Sequence, residues 1–233
     1  MFRNSNNFLN CLFIAGCARS GTTALTRLLN SHPDIFVGTE LFRTEFSSQS
    51  DLFNKDLFHG DRYQGKLAEM KESTSTLRYI GDKFPAYYRN YDFLFSRFDK
   101  AKIIFIVRNI FDVAQSYKAR KIHPTNPWKK GVRRAVKEWN ESLESTLIQL
   151  KKGRNIEVVC YENILFKPDH QLLNDLGLRA DKSFDKSYKK IANNAKKLDA
   201  KRVNILDHNE KLTIMENARF DLYKELLTAI NPA

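Results

Sequence analysis

The sequence predicts an α/β fold of three layers, a central parallel sheet flanked by helices. Three observations carry this. Short apolar runs alternate with amphipathic helical stretches along the whole chain. One run, KIIFIV at Lys102–Val107, is nearly continuous rather than alternating, as expected for a strand covered on both faces. The first run, Cys11–Ala15, leads directly into a glycine loop and then a helical pattern, an order of strand, loop and helix that can cradle phosphate.

Taken in order, strands are predicted at Leu12–Ala15, Ile35–Thr39, Tyr79–Gly81, Lys102–Val107 and Ile156–Cys160. Helices are predicted over Thr22–Asn30, Ile110–Arg120, Gly131–Leu150 and Ile214–Leu227. In the third of these, Val132, Val136, Trp139, Leu143, Leu147 and Leu150 recur at three- and four-residue steps and make one apolar face. Pro33, Pro85, Pro124, Pro127 and Pro168 all fall between elements. A chain of 233 residues suits one α/β domain, residues 1–233, and is short for two.

The net charge of +12 asks for anionic partners. Nucleic acid is not expected, because the lysines are scattered and no basic stripe carries stacking aromatics. No apolar run approaches the roughly 20 residues of a membrane span, and Cys11–Ala15 is too short for a secretory signal. Cys11, Cys17 and Cys160 have neither metal nor disulfide spacing. Together these features predict a cytoplasmic protein.

The loop reads GCARSGTT, residues 16–23. Gly16 and Gly21 have the spacing of the nucleotide P-loop, G-x-x-x-x-G-K-[ST], but Thr22 stands where its lysine would be. The backbone amides of Ser20, Gly21, Thr22 and Thr23 would form an anion nest at a helix N-terminus, with Arg19 as its guanidinium. A kinase or NTPase would also need an aspartate on a buried strand to help hold magnesium. KIIFIV ends in Arg108 instead. The expectation is a fold like that of P-loop proteins, gripping two anionic groups with no metal between them. Arg108, Ser116 and Arg120 would clamp the second group, since Ser116 and Arg120 lie one turn apart on a helix. A solvated helix face is the plainer account of that segment. Polar groups also leave the other predicted strands: Glu40, then Asp82 and Lys83, then Tyr161 and Glu162. In a parallel sheet all of these would meet at one edge.

GCARSGTT and VRNIFDVAQSYKAR together resemble the 5'-phosphosulfate loop and the 3'-phosphate segment of sulfotransferases that use 3'-phosphoadenosine-5'-phosphosulfate (PAPS). NSHPDIFVGTE, GDKFP, VVCYENILFKP and DLGL follow in the order of the branch that contains tyrosylprotein sulfotransferases and bacterial carbohydrate and small-molecule sulfotransferases. The resemblance implies sulfuryl transfer from PAPS to a hydroxyl or amine, without a metal, by in-line displacement. Glu40 would be the general base, with Arg19 and Lys83 stabilising charge at the transferring group. Arg19, Ser20, Gly21, Thr22, Thr23, Arg108, Ser116, Arg120 and Tyr161 would hold the nucleotide. The acceptor would be a carbohydrate or small metabolite, held by Phe42–Gly65 and Lys121–Lys130, with Trp128 either stacking on it or anchoring the loop. A protein tyrosine acceptor and an atypical P-loop kinase or NTPase are the alternatives. The family's late arginine-lysine-glycine element is absent, and Lys196, Lys197, Lys201 and Arg202 stand as its candidate substitutes. His32, in a His-Pro turn, reads either as a turn residue or as a base.

Overall fold

A computed structural model of the chain describes residues 10–71, 77–166, 170–200 and 204–230. Pro168, Lys201, Arg202 and the side chain of Lys196 lie outside the described residues. Five strands form one sheet: β1 (Asn10–Gly16), β2 (Ile35–Thr39), β3 (Tyr79–Lys83), β4 (Lys102–Val107) and β5 (Ile156–Cys160). Their order is β2-β3-β1-β4-β5, and every neighbouring pair is parallel. All five carboxyl ends therefore lie along the same edge. Around the sheet run α1 (Thr22–Leu29), α2 (Arg43–Ser47), α3 (Asp61–Met70), α4 (Tyr91–Arg97), α5 (Ile110–Lys121) and α6 (Val132–Lys151). They are followed by α7 (Tyr161–Phe166), α8 (Gln171–Asp175), α9 (Lys182–Ala200), α10 (His208–Asn217) and α11 (Phe220–Ile230). Among the described residues, no helix is long and apolar enough to cross a membrane.

Alternate residues of the central strands feed opposite layers, as the period of two requires. Leu12, Ile14, Ile104 and Ile106 pack with Leu25 and Leu29 of α1 and with Phe184 and Tyr188 of α9. Phe13, Ala15, Ile103 and Phe105 pack on the other side with Trp139 and Leu143 of α6. Each fully buried Leu, Ile or Phe stabilises the fold by roughly 1.5–3 kcal/mol relative to exposure. Gly81 lets β3 approach β1, because a Cβ there would lie 1.6 Å from the carbonyl oxygen of Leu12.

Two features stand out against the sequence expectations. The phenylalanines of Phe42–Gly65 are core residues. Phe42, Phe46, Phe53 and Phe58 are buried: Phe42 stacks on Tyr63 and meets Phe58 edge-on, Phe46 meets Tyr87 edge-on and Phe53 meets Phe98 edge-on. Apolar rings without a polar handle gain most from burial. The predicted final helix is two helices. Ala218 is extended between them at φ −79°, ψ 134°. Asn140 of α6 holds the break, donating to the Asn217 carbonyl at 2.8 Å and accepting from the Arg219 amide at 2.9 Å.

Candidate active site

The loop after β1 is shaped by its two unusual backbone positions. Arg19 takes φ 71° and Gly21 takes φ 105°. A Cβ on Gly21 would lie 2.3 Å from Cδ2 of Tyr161, so the Tyr161 ring rests directly on bare loop backbone. Thr22 begins α1, and the first amides of that helix have no carbonyl within the helix to bind. Ser20 is fully buried, and its Oγ has no hydrogen-bond partner among the described residues. A hydroxyl buried in this way costs about 1–3 kcal/mol. It lies beneath the loop, 2.8 Å from where a Cβ on Gly16 would stand.

Arg108, at the exit of β4, is 5% exposed. Its guanidinium binds Asp112 Oδ2 at 3.2 and 3.3 Å and lies 4.0 Å from the centre of the Tyr161 ring. Trp139 Nε1 donates to its carbonyl at 2.9 Å. The other two residues expected in a clamp lie beside the loop arginine. Ser116 Oγ accepts from Arg19 Nε at 2.9 Å, and Arg120 lies 5.9 Å from the Trp128 ring centre, as Arg19 also does. Ser116 and Arg120 therefore share a face of α5 with the loop arginine, while Arg108 sits deeper beside Tyr161. Trp128 packs edge-on to Tyr117 at 5.6 Å, which anchors its segment to α5.

Glu40 and Lys83 meet at the exits of β2 and β3. Lys83 Nζ is 3.1 Å from Glu40 Oε1, with the lysine side chain 3% exposed and the glutamate 35% exposed. Arg43 approaches the other carboxylate oxygen at 3.9 Å. Glu40 has φ 58°, a left-handed conformation that a residue with a side chain rarely adopts without support. Support comes from its amide, which donates to the Lys83 carbonyl at 2.7 Å, and from Asp82. Asp82 is fully buried and accepts from the amides of Leu41 at 3.1 Å and Phe42 at 3.3 Å and from Tyr87 OH at 2.9 Å. Burial raises its pKa to about 7, against the lowering effect of these bonds and of Lys83.

A second buried carboxylate, Glu138 of α6, was invisible to sequence reasoning. Its only local signal is Arg134, one turn earlier. Glu138 Oε1 accepts from Arg134 Nε at 2.7 Å, Lys130 Nζ at 2.9 Å and Arg89 at 3.0 Å, while Oε2 accepts from Tyr117 OH at 2.5 Å. Burial alone would raise its pKa, but the bonds from Tyr117, Lys130 and Arg134 outweigh burial and hold it at about 2. Tyr117 also reaches Cys17 of the loop, 4.0 Å from its hydroxyl. Burial pushes the Cys17 thiol well up, which leaves it an unreactive core group.

His32 is a turn residue. Its Nδ1 accepts from the Asp34 amide at 3.1 Å, so Nε2 donates to the Arg179 carbonyl at 3.0 Å. On α9, Lys182, Lys186, Lys189, Lys190 and Lys197 are exposed, while Phe184, Tyr188, Ala192 and Ala195 pack inward. This is an amphipathic helix with a solvated basic face.

The family model described as "Sulfotransferase family" matches residues 11–182. A protein-tyrosine sulfotransferase of Drosophila melanogaster is 24% identical over 183 residues, covering 70% of this chain and 36% of that protein. The chain thus spans about a third of that curated relative's length. A sulfotransferase domain from the curacin biosynthetic pathway superposes with a TM-score of 0.55 at 20% identity, covering 77% of each chain. A sulfotransferase from Alicyclobacillus acidocaldarius superposes with a TM-score of 0.51 at 18% identity, covering 95% of this chain and 91% of its own. At these identities the two solved structures speak to the α/β fold with its parallel central sheet.

Proposed function

We propose that this chain, which belongs to the sulfotransferase family, moves a sulfuryl group from PAPS to a hydroxyl or amine of an acceptor. One observation supports this most: the loop Gly16–Thr23 and the Lys83–Glu40 pair, 3.1 Å apart, stand on the same sheet edge. The first offers positive partial charge and bare backbone to an anion. The second offers a carboxylate beside a cation where an acceptor can enter. The residues present fit the donor. The amides from Gly21 to Thr23, the two threonine hydroxyls and Arg19 would hold its phosphosulfate end, with Ser20 fixing the loop through its amide's hydrogen bond to the Cys17 carbonyl at 3.1 Å. Arg108, Ser116, Arg120 and Tyr161 would hold the nucleotide and its 3'-phosphate. Bound PAPS supplies a sulfuryl group already activated by a phosphate leaving group.

The chain's own residues then have separable tasks. Glu40 takes the proton of the attacking hydroxyl or amine. Lys83 and Arg19 offset the negative charge that develops on the transferring group and its leaving oxygen, without reorganising at the moment of reaction. The loop and helix dipole fix the donor's orientation, which is most of what such a transfer requires. A carbohydrate or small metabolite is the proposed acceptor. The Drosophila relative's name favours including a tyrosine peptide in the same screen.

Calorimetric titration with 3'-phosphoadenosine-5'-phosphate (PAP, the donor without its sulfuryl group), AMP, and ATP plus magnesium tests the assignment. PAP binding in the presence of EDTA, with AMP much weaker, is the expected result. ATP binding that requires magnesium, with no PAP binding, would replace the proposal with a kinase-type one. Arg108→Ala is expected to weaken PAP binding by about 1.5–3 kcal/mol, the loss of one charge-assisted contact. An unchanged affinity removes Arg108 from the nucleotide site.

A further inference from the structure

We propose that Asp82 is a positioning residue for the transfer step: its buried carboxylate ties down the turn after β2 and so aims Glu40 at Lys83 and the incoming acceptor. This deepens the assignment of Glu40 as base and rests on it.

The geometry is a three-rung tie between adjacent strand ends. In the β2–β3 register, Gly38 faces Asp82 and Thr39 faces Lys83. Beyond Thr39 the chain turns through Glu40 in its left-handed conformation. The amides of three successive residues, Glu40, Leu41 and Phe42, are then all taken up by β3. The first goes to the Lys83 carbonyl at 2.7 Å, and the next two go to the Asp82 carboxylate at 3.1 and 3.3 Å. Gly38 makes room, since a Cβ there would lie 2.9 Å from Asp82 Oδ1. Tyr87 closes the carboxylate from the far side at 2.9 Å.

Only a carboxylate satisfies this arrangement. Leu41 donates to one oxygen, while Phe42 and Tyr87 donate to the other, so both oxygens must accept. An asparagine would present its NH2 to at least one backbone N–H, and a buried amide without a partner is costly. Protonation of Asp82 has a related effect, because only Tyr87 among the three partners can turn to accept the new hydrogen. The surroundings do not buffer this change. Tyr87 and Tyr63 have hydroxyl pKa values pushed well up by burial, and Cys11 is pushed up to about 11 by the same cause. The charged groups at hand are Lys83 beside Asp82 and Glu45 near Tyr87.

Two consequences of opposite sign follow. The folded pKa of Asp82, about 7, lies above its ordinary 3.8, so this group's contribution to stability falls as pH rises through that window. Ionisation completes the tie, so turnover rises as pH passes about 7.

The experiment has a kinetic arm and a structural arm. The first measures formation of PAP from PAPS, with water and with a tyrosine peptide as acceptors, and PAP affinity, for the wild type, Asp82→Asn and Tyr87→Phe. Asp82→Asn is expected to lower kcat by roughly 10–100-fold, the scale of a misplaced catalytic group. PAP affinity should stay within about twofold and the rise in kcat near neutral pH should disappear. Tyr87→Phe, which keeps both amide bonds, should fall between. The second arm follows the Leu41 and Phe42 amide resonances of the wild-type protein against pH, which needs neither turnover nor a foldable variant. They should titrate together near pH 7. Unchanged kcat in Asp82→Asn, or Leu41 and Phe42 amides that titrate independently of one another, overturns the proposal. Failure of PAP binding, or full activity in Glu40→Gln, defeats the functional assignment instead. The amide titration still reads whether Asp82 holds the turn.

Discussion

Glu40→Gln is expected to lower kcat by about 10²–10⁴-fold, the contribution of a general base to proton transfer. PAP affinity should change little, because Glu40 lies at the β2 exit and the nucleotide is assigned to the loop and to α5. The substitution keeps the side chain's size and one acceptor oxygen for Lys83, so the turn can remain in place. Thermal denaturation alongside the kinetics separates lost chemistry from lost fold. A variant that stays within tenfold of the wild type would show that another group, or water, takes the proton. The 3.1 Å contact with Lys83 would then be a structural ion pair.

Acid should reveal Glu138. Its pKa of about 2 lies below the ordinary 4.5, so its stabilising effect is complete above pH 4.5 and is lost as pH falls toward 2. The shift corresponds to at most about 3 kcal/mol, and less in practice, since its three cationic partners are partly solvated. Denaturant midpoints measured across this range should fall steeply for the wild type and shallowly for Glu138→Gln. Equal slopes would mean that Arg89, Lys130 and Arg134 hold the carboxylate no better than water does. The Asp82 effect runs the other way between its ordinary 3.8 and about 7, so below pH 3.8 the slope belongs to Glu138. Above pH 7 both carboxylates are ionised, and Glu138→Gln should simply be less stable by a constant amount.

Much of the scaffold was legible in the chain because it is written in local periodicity. Strands Ile35–Thr39, Lys102–Val107 and Ile156–Cys160 fall where the apolar runs put them, and α6 lies within a residue of the span its apolar face predicts. The glycine loop was legible because Gly16 and Gly21 can do what residues with side chains cannot. The last helix was not. Its pattern is continuous, and what divides it is Asn140, on another helix.

The site divides in the same way. Arg19, Glu40, Lys83 and Arg108 were named from their places at strand exits, and strand exits can be read residue by residue. That they share an edge depended on the sheet being wholly parallel in the order β2-β3-β1-β4-β5, which no local pattern encodes. Asp82 stood in the sequence as one more polar residue beside Lys83. Glu138 stood as one glutamate in a charged helix. Their importance comes from partners brought from other elements: Leu41, Phe42 and Tyr87 for one, Arg89, Tyr117 and Lys130 for the other. The sequence alone therefore determined the five strands, the glycine loop and the long apolar-faced helix, since these follow from side-chain period and backbone freedom over a few residues. Only the tertiary structure decided which strand ends meet and which carboxylates are buried, because burial and long-range hydrogen bonding are properties of the packed chain.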